Sequence, residues 1–463
     1  MPKFTVAIAG AGLGGLVFAI ALQKYAPDVD FQIYEAAAQL AEIGAGIGFQ
    51  PRTWFVMREL GLESALLNIS GNGQKSDLTL IYRKADQHEG FTFNESVADK
   101  ENYTFHRAQL HQVFLAHIQD PRRIHLGKRF ASYTLPTDPA GQIDINFKDG
   151  STTTCDVLVG ADGIKSNVRA SMYTQLADAA EGAGRADEAF SLRSCIAPVW
   201  SGFVTHRALL KREPDDQKSS CHTTWMDHLI VYCGKKRHVV SYPIAKGRAL
   251  NIAAVTAAPE LEGTLYEGPW VAKVPKEEVT DLYSGWEPEV EEMIRITHHK
   301  CTTQAVDSSG WSKWAIHVVK KLPTFVDGRV VLLADAAHAM VPFQGAGAGQ
   351  GFEDALMLGK ILGHPKVTRE TVSSALKVYD ELRRPVAQHV AALCLRSGQF
   401  HSFIAPEIQS TVTSWAGSDG QALGKEQLAK LTEAIERVKE WRNGTTVEED
   451  CKAALRKIDE QLA

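Results

Sequence analysis

The chain has 463 residues, a formal net charge of −5 at neutral pH and 44% hydrophobic residues. This balance is typical of a soluble globular protein with two or three domains, and it gives no basis for a nucleic-acid partner. The seven cysteines are scattered and form no C-x-x-C pair, and the sequence has no metal-ligand motif, so no metal is predicted. The sequence also has no apolar run of membrane length and no room for a signal peptide. We therefore predict a cytoplasmic protein without membrane contact.

The first segment has the pattern of a dinucleotide-binding β-α-β unit. An apolar run at 4–9 leads into Gly10, Gly12 and Gly15, a helical pattern follows, and a second apolar run ends in Glu35. Gly10 permits the tight turn, Gly12 lets the backbone approach a pyrophosphate, and Gly15 lets the helix pack closely on the strand. The Glu35 carboxylate favours an unphosphorylated ribose, so FAD and NAD both stay open here. The alternative is a glycine turn beside an ordinary surface glutamate.

The next hundred residues read as a loop, strands and a helix. The glycines of 42–49 predict a loop that approaches a ligand, and 72–100 predicts strands with turns near Asp86 and Asn94. A helix is predicted over 110–118. Further strands are predicted at 123–126, 130–135, 143–147 and 155–159, with a hairpin turn at 148–150.

The second half alternates between sheet and helix. Residues 172–190, rich in Ala, Gly, Asp and Glu, are interpreted as a mobile surface insert. The later elements are predicted strands at 229–232, 238–244, 249–255 and 330–334, a helical region at 276–296, a helix from about Gly349, and mostly helix from 368 onward.

These elements predict an α/β fold in which the nucleotide-binding part is interrupted. A doubly wound, glutathione-reductase-like domain is predicted, with an inserted mixed β-sheet substrate domain and a helical C-terminus. The nucleotide-binding domain takes 1–70, 102–170 and 320–365, the substrate domain takes 71–101 and 185–319, and the C-terminal region takes 366–463. A return to the nucleotide site so late in the chain favours FAD over NAD, because distant segments must hold the long FAD molecule.

Four segments make the sequence resemble the class A FAD-dependent aromatic hydroxylases, in the salicylate-hydroxylase-like branch. They are residues 10–15, 156–169, 334–338 and 342–355. The resemblance covers roughly residues 4–395. It implies bound FAD, NADH or NADPH as a transient reductant, O₂ as co-substrate, and an aromatic substrate hydroxylated through a flavin C4a-hydroperoxide. Simple hydroxylation, oxidative decarboxylation and dearomatisation all remain open.

The resemblance also implies which residues bind the cofactor. Asp335 would bind the ribityl chain, with a helix N-cap as the alternative role, and Ala334 stands where the family usually has glycine. Asp162 would contact both FAD and the nicotinamide nucleotide. Arg107 would contact FAD, and its alternative is a surface arginine at a helix start.

The glycine-rich stretch that includes Gly347 and Ala348 predicts a loop at the flavin ring. Its backbone N–H groups would approach the ring. A helix that began there would direct its positive dipole end at the N1–C2=O region of the flavin.

Three residues are candidates for the substrate chemistry. His238 and Tyr242 lie four apart on a predicted strand and so face one cavity, where His238 would accept the phenolic proton and Tyr242 would orient the substrate or relay the proton. Arg207 would anchor a carboxylate or phenolate. The alternatives are a His–Tyr pair satisfied within the sheet and an outward-facing arginine. Phe343 replaces a frequent histidine of the relatives, which puts transfer of the exact salicylate specificity in doubt.

Two other functions remain open at this point. One is a flavin-dependent oxidase or reductase acting on another substrate, and the other is a flavin-binding interaction protein with little turnover. The C-terminal helices either pack within the chain or form the contact of a homodimer.

Overall fold

The computed structural model describes residues 2–40, 46–70, 79–97, 103–138, 140–211, 225, 228–244, 249–296, 310–409 and 425–462. Its strands are β1 (Thr5–Ala9), β2 (Asp30–Tyr34), β3 (Gly46–Phe49), β4 (Thr79–Lys84), β5 (Phe91–Val97), β6 (Tyr103–His106), β7 (Ile124–His125), β8 (Phe130–Thr134), β9 (Ile143–Phe147), β10 (Thr152–Cys155), β11 (Val157–Gly160), β12 (Val199–Lys211), β13 (His228–Gly234), β14 (Arg237–Ile244), β15 (Ala249–Ala257), β16 (Val271–Val274), β17 (Trp311–Val318), β18 (Val326–Asp327) and β19 (Val330–Leu332).

The helices follow the same chain order. They are α1 (Leu13–Tyr25), α2 (Pro51–Glu59), α3 (Glu63–Ile69), α4 (Arg107–Ala116), α5 (Asn167–Gly182), α6 (Ala186–Arg193), α7 (Lys276–Leu282), α8 (Pro288–Ile296), α9 (Asp335–His338), α10 (Gly347–Leu362), α11 (Val372–His401), α12 (Pro406–Gln409), α13 (Lys425–Arg437) and α14 (Val447–Gln461).

A six-stranded sheet forms the nucleotide-binding part, in the order β18-β19-β11-β1-β2-β7. All its pairs are parallel except β18 with β19. Its central strands β1, β11 and β19 are short and almost wholly apolar, as expected for strands that are covered on both faces. Helices α1 and α10 pack against each other beside it, and α5 contacts β11 and β19. The carboxyl ends of β1, β11 and β19 therefore meet at one edge.

An eight-stranded sheet forms the second layer, in the order β16-β17-β12-β15-β14-β13-β4-β5. It is antiparallel except between β13 and β4. One face is covered by α7 and α8, whose Val279, Val290 and Met293 pack in one cluster with Tyr232 and Ile252. The other face is directed at α11 and at the loop before α10, through a separate set of apolar contacts.

The arrangement confirms the α/β fold class, with a doubly wound sheet, an inserted mixed sheet and a helical C-terminus. The division into domains at the residue numbers given above stays a proposal. Helix α14 packs on α10 and α11 within the same chain, and α13 contacts α11 and β5. Within the described residues no helix has the length and apolar character needed to span a bilayer, and no cluster of His, Cys, Asp or Glu is arranged to hold a metal.

The interpretation of 172–190 as a mobile insert is wrong. Most of it forms α5 and α6, and these two helices pack against each other. The buried positions are mainly alanines, such as Ala177, Ala180 and Ala189, together with Tyr173. Small residues can form a close helix–helix contact although they give the sequence little hydrophobic contrast.

Three smaller predictions also need correction. Gly46–Phe49 is not a loop but strand β3, paired with β6, while residues 42–45 lie outside the described residues. Asn94 lies inside β5 rather than at a turn, although the turn near Asp86 is present. Residues Gly347–Leu362 are helical from the first glycine, so the predicted glycine-rich loop ends earlier than expected.

The turn between β19 and α9 contains an unusual backbone conformation. Ala334 has φ of 56° and ψ of −135°, in the region that favours glycine. Its Cβ would lie 2.9 Å from a Cβ placed on Gly14 and 2.6 Å from one placed on Gly351. The absence of a side chain at Gly14 and Gly351 therefore leaves room for the Cβ of Ala334.

We expect Ala334→Gly to raise the free energy of unfolding of the apoprotein. Relief of the backbone strain should exceed the entropy cost of glycine, for a net gain of about 0.5–1 kcal/mol. Chemical denaturation of the apoprotein measures the change. The matched control is Ala336→Gly in the adjoining helix, which should lower stability. Equal losses in the two variants would show that the turn is not strained.

Candidate functional site

The loop between β1 and α1 leaves space for a pyrophosphate. Gly10 has φ of 107°, and a Cβ there would lie 2.5 Å from the carbonyl oxygen of Ala161. A Cβ on Gly15 would lie 2.1 Å from the carbonyl oxygen of Gly10, whereas one on Gly12 would meet no atom within 4 Å. Gly12 is the N-cap of α1 and offers no side-chain cap, so the first N–H groups of the helix remain open to an anion.

Glu35 is fixed beside this loop. Its carboxylate accepts hydrogen bonds from the backbone N–H groups of Ala11 and Ala37, each at 2.8 Å. A carboxylate has four lone-pair directions, so acceptor capacity is left for ribose hydroxyls. These contacts fit the role predicted for Glu35.

Asp162 follows the end of β11 and accepts hydrogen bonds from the first N–H groups of helix α5, whose N-cap is Ser166. One carboxylate oxygen accepts from the N–H groups of Asn167 and Val168, at 2.8 and 3.2 Å. The other oxygen, Oδ1, is buried without a hydrogen-bond partner, and burial raises the pKa of this carboxyl. An unsatisfied buried oxygen is costly, so a donor from a bound nucleotide at this position would complete the group. The Arg169 guanidinium donates to the carbonyls of Ile164 and Ala336 and so ties this loop to α9.

The structure does not give Asp335 the N-cap role that was its alternative. Ala334 holds the N-cap position of α9, no side chain caps that helix, and Asp335 is its exposed first residue. Its carboxylate therefore remains available for a ligand at the edge where the parallel strands end. Binding of the FAD ribityl chain by Asp335 stays a prediction.

Helix α10 begins at the predicted flavin-contacting residues. Gly347 and Ala348 occupy its first turn, and the N-cap Ala346 offers no side-chain hydrogen bond. The free N–H groups and the positive dipole end are then available to an electronegative ligand atom. A Cβ on Gly349 would lie 2.3 Å from Thr53 Oγ1, so this glycine lets α10 approach α2 closely.

Beneath this helix lies a set of buried charged residues that the sequence analysis did not identify. Asp354 accepts hydrogen bonds from the Ala334 backbone N–H at 3.1 Å and from Arg383 Nε at 2.8 Å, and its Oδ2 lies 2.5 Å from His338 Nε2. Burial alone would raise the pKa of Asp354, but His338 and Arg383 lower it to about 2. The only sequence signal was the pair Glu353-Asp354 within an otherwise apolar helix.

Arg207 and Tyr242 lie on one face of the eight-stranded sheet. Ala253 of β15 pairs with both Val240 and Arg207, and residues directly opposite in antiparallel strands share a face. The Arg207 guanidinium lies 5.7 Å from the Trp314 ring centroid, and no carboxylate of the described residues pairs with it. Burial lowers the pKa of Arg207, and Arg107 lowers it further.

Tyr242 connects this face to the nucleotide-binding part. Its hydroxyl donates a long hydrogen bond, 3.4 Å, to the carbonyl oxygen of Gly46 in β3. Burial raises the pKa of Tyr242 and the nearby Arg207 opposes that shift. Because β3 pairs with β6 and Arg107 begins α4 directly after β6, Arg107, Arg207 and Tyr242 occupy one region between the two sheets.

His238 shares the face of Tyr242 but lies four residues along the strand, in a closed environment. Its Nδ1 is 2.8 Å from Ser402 Oγ, and its Nε2 is buried without a partner. The rings of Phe343 and His401 lie edge-on at centroid distances of 5.1 and 5.3 Å. Burial, and then His401, holds the pKa of His238 well below 6.5, so the imidazole is neutral at neutral pH.

Comparison with known proteins identifies the family to which the chain belongs. A family model described as an FAD binding domain matches residues 3–196 and 266–393, which is more than half of the chain. The chain belongs to the FAD-dependent aromatic hydroxylases. It is 33% identical to FAD-dependent monooxygenase str9 of Strobilurus tenacellus, with 99% of each chain covered. It is 30% identical to a salicylate hydroxylase of Pseudomonas putida, with 91% of this chain and 89% of the relative covered.

The solved structures place the hydroxylase in the same group. A salicylate hydroxylase substrate complex matches with a TM-score of 0.76 and 25% identity over 98% of both chains. The FqzB crystal structure matches with a TM-score of 0.71 at 18% identity, over 100% of this chain and 95% of the other, and shows the shared fold. The bound cofactor of the hydroxylase is therefore FAD, as the sequence predicted.

We expect Asp335→Ala to weaken FAD binding more than it alters folding. A hydrogen bond between a carboxylate and a hydroxyl contributes about 1.5–3 kcal/mol, which corresponds to a loss of about tenfold to a hundredfold in affinity. Titration of apoprotein with FAD, followed by flavin fluorescence, gives the dissociation constant. Asp187→Ala, on the exposed side of α6, serves as the control. The same FAD affinity in both variants would exclude a cofactor contact by Asp335.

Proposed function

We propose that the hydroxylase acts on a phenol that carries a carboxylate, with a nicotinamide nucleotide as reductant and O₂ as oxidant. The observation that carries this proposal is the Arg207 guanidinium, which has no carboxylate partner among the described residues and lies beside Tyr242 on the face that also carries His238. The similarity to salicylate hydroxylase supports a hydroxybenzoate-like substrate.

An anionic substrate follows from the charges in this region. A buried cation without a counter-ion is unfavourable unless a ligand supplies the negative charge. Arg107 lies close enough to Arg207 to disfavour the charge of the Arg207 guanidinium. A carboxylate placed against Arg207 would relieve this repulsion and could accept two parallel N–H donors, which favours a planar aromatic acid over a neutral phenol.

His238 is suited to take the proton of the phenol. Its free nitrogen, Nε2, is buried and lacks a partner, and the ring is neutral, so a lone pair is available when Nδ1 carries the proton. Ser402 Oγ would then accept the Nδ1–H hydrogen bond and hold this tautomer. Loss of the phenolic proton raises the electron density of the ring, which the electrophilic oxygen transfer requires. Tyr242 would orient the ring or relay the proton.

The residues present fit bound FAD, through the open position at Gly12, the unpartnered Asp162 Oδ1 and the free carboxylate of Asp335. When bound and reduced, FAD supplies the activation of O₂ and the transfer of one oxygen atom. In the overall balance, the substrate C–H becomes C–OH, the second oxygen atom leaves as water, and NAD(P)H is oxidised. Phe203 and Phe343 pack edge-to-face at 4.8 Å and help keep water away from the reacting ring.

A cytoplasmic location and association into a homodimer remain predictions, and NADH and NADPH both stay open as the reductant. The intramolecular packing of α14 on α10 and α11 occupies the helix face formed by Val447, Cys451, Ala454 and Ile458.

Arg207→Gln tests the proposed substrate class. Because the variant keeps a hydrogen-bonding side chain but loses the charge, we expect KM for hydroxybenzoates to rise about tenfold to a hundredfold, with little change for phenols without a carboxylate. Consumption of NADH and NADPH, O₂ uptake, H₂O₂ release and CO₂ release are followed together. Arg207→Lys should be intermediate.

Coupled consumption of reductant and O₂ with one hydroxylated product supports the hydroxylase function. If Arg207→Gln changes KM equally for aromatic acids and for phenols without a carboxylate, Arg207 does not bind the substrate carboxylate. Release of H₂O₂ alone with every phenol would favour the oxidase alternative.

We expect His238→Ala to slow hydroxylation by about 10²–10⁴-fold at neutral pH while unstimulated flavin reduction changes little. The lowered pKa keeps His238 in its base form below pH 6.5, so the parent should lose activity through this group only at more acidic pH. The defect should shrink as the pH approaches the pKa of the phenol. Stopped-flow kinetics across pH measures it.

Ser241→Ala is the matched control, since Ser241 is buried on the opposite face of the same strand. Tyr242→Phe should have a smaller effect than His238→Ala. If His238→Ala leaves the hydroxylation rate and the coupling of reductant consumption to hydroxylation unchanged, His238 is not the base and Tyr242 becomes the candidate.

A further inference from the structure

We propose that Asp450, on the C-terminal helix α14, positions the FAD-binding turn at Ala334 and Asp335 through a continuous set of ion pairs, whose members other than Asp450 are buried. This ion-pair cluster consists of Arg52, Glu353, Asp354, Arg383 and Asp450. The family model ends at residue 393, so α14 lies outside it.

The cluster starts at the N-terminus of α14. Thr446 and Glu449 form a reciprocal capping box that fixes where the helix begins. Asp450 then lies in the first turn, where its Oδ2 is 2.9 Å from Arg52 Nη2, and Arg52 also donates to the carbonyl oxygen of Thr445. Arg52 of α2 therefore contacts both the backbone and a side chain at the start of α14.

From Arg52 the contacts continue into α10. Its guanidinium makes a bidentate pair with Glu353, at 3.1 Å from Nε to Oε1 and 2.9 Å from Nη2 to Oε2. Glu353 Oε2 is also 3.2 Å from Arg383 Nη1 in α11. Glu353 and Arg383 are only 2% and 1% exposed, so neither charge can be satisfied by bulk water and each depends on its partners.

The last step reaches the turn that carries Asp335. Arg383 Nε donates to Asp354 Oδ1 at 2.8 Å, and Asp354 Oδ2 accepts the Ala334 backbone N–H at 3.1 Å. That N–H belongs to the residue held at positive φ immediately before Asp335. The hydrogen bond from Ala334 to Asp354 thus opposes relaxation of a disfavoured backbone conformation. The orientation of Asp354 depends on Arg383 and on His338, whose Nε2 is 2.5 Å from Asp354 Oδ2.

Loss of the charge of Asp450 should change the conformation of the turn at Ala334, because the guanidinium groups of Arg52 and Arg383 are each shared between two carboxylates. Without Asp450, Arg52 can shift toward Glu353 or toward the surface, and Glu353 then changes its hold on Arg383. The turn at Ala334 would then sample other conformations. FAD binding would have to order the turn and Asp335, and this loss of conformational entropy would weaken FAD affinity. The folded helices themselves keep their apolar contacts, through Val447, Cys451, Ala454 and Ile458.

The test is a double-mutant cycle on FAD affinity. We expect Asp450→Asn to weaken FAD binding about tenfold, and we expect the same substitution to have a much smaller effect in an Asp354→Asn background, because the positioning acts through Asp354. FAD dissociation constants are measured by fluorescence titration of the full-length apoproteins at low temperature. Denaturant unfolding of each apoprotein separates FAD affinity from general stability.

Two control variants lie on the same helix. Asp459→Asn removes an exposed carboxylate that pairs with Lys366 and His364, and it should leave FAD affinity unchanged. Ile458→Val weakens packing and should lower stability while FAD binds as in the parent.

Unchanged FAD affinity in Asp450→Asn, or additive effects in the double variant, would overturn the proposal. So would an equal loss of affinity in Ile458→Val, since that would show a general stability effect. If Asp354→Asn does not fold, the comparison of Asp450→Asn with the two control variants decides the question.

Discussion

The FAD site depends on how closely three distant segments of the chain approach one another at the carboxyl edge of the parallel sheet. A Cβ on Gly10 would lie 2.5 Å from the backbone oxygen of Ala161, and one on Gly351 would lie 2.6 Å from the Cβ of Ala334. These distances admit a hydrogen atom but no side chain. The glycines are therefore a condition for the whole site, because a larger residue at either contact would separate the segments that share the cofactor.

The two faces of the eight-stranded sheet have different roles: one packs in the hydrophobic core and the other carries the candidate substrate-binding residues. One face packs against α7 and α8 in an apolar cluster. In the part of the chain that the structure describes, the other face carries an arginine with no carboxylate partner and a histidine with one buried nitrogen that lacks a hydrogen-bond partner. Such groups reduce the stability of the free protein. Their cost is tolerated on the face where a ligand can complete them, and the well-packed opposite face holds the strands in register.

The sequence predicted those features that depend on local spacing. Three such features are the glycines of the first loop, the strand that leads to Asp162, and the four-residue spacing of His238 and Tyr242. Each of them lies within a short stretch of the chain, so periodicity and the positions of glycines were sufficient to predict it. The family resemblance supplied the cofactor. Helices α5 and α6 were missed because their buried stripe is largely alanine. The ion-pair cluster was missed because Asp354 and Arg383 are 29 residues apart, and the choice of partner between two helices is set by packing alone.

The order of strands in the parallel sheet has a consequence for biosynthesis. Strand β1 begins at Thr5, yet its neighbour β11 begins at Val157, and β19, which pairs with β11, begins only at Val330. A nascent chain therefore emerges with its first strand unpaired on one side, and the turn before Asp335 forms only after most of the polypeptide has been synthesised. Long-range strand pairing of this kind is slow and leaves apolar edges exposed to other chains. The turn that carries Asp335 can therefore contribute to FAD binding only after most of the chain has been synthesised.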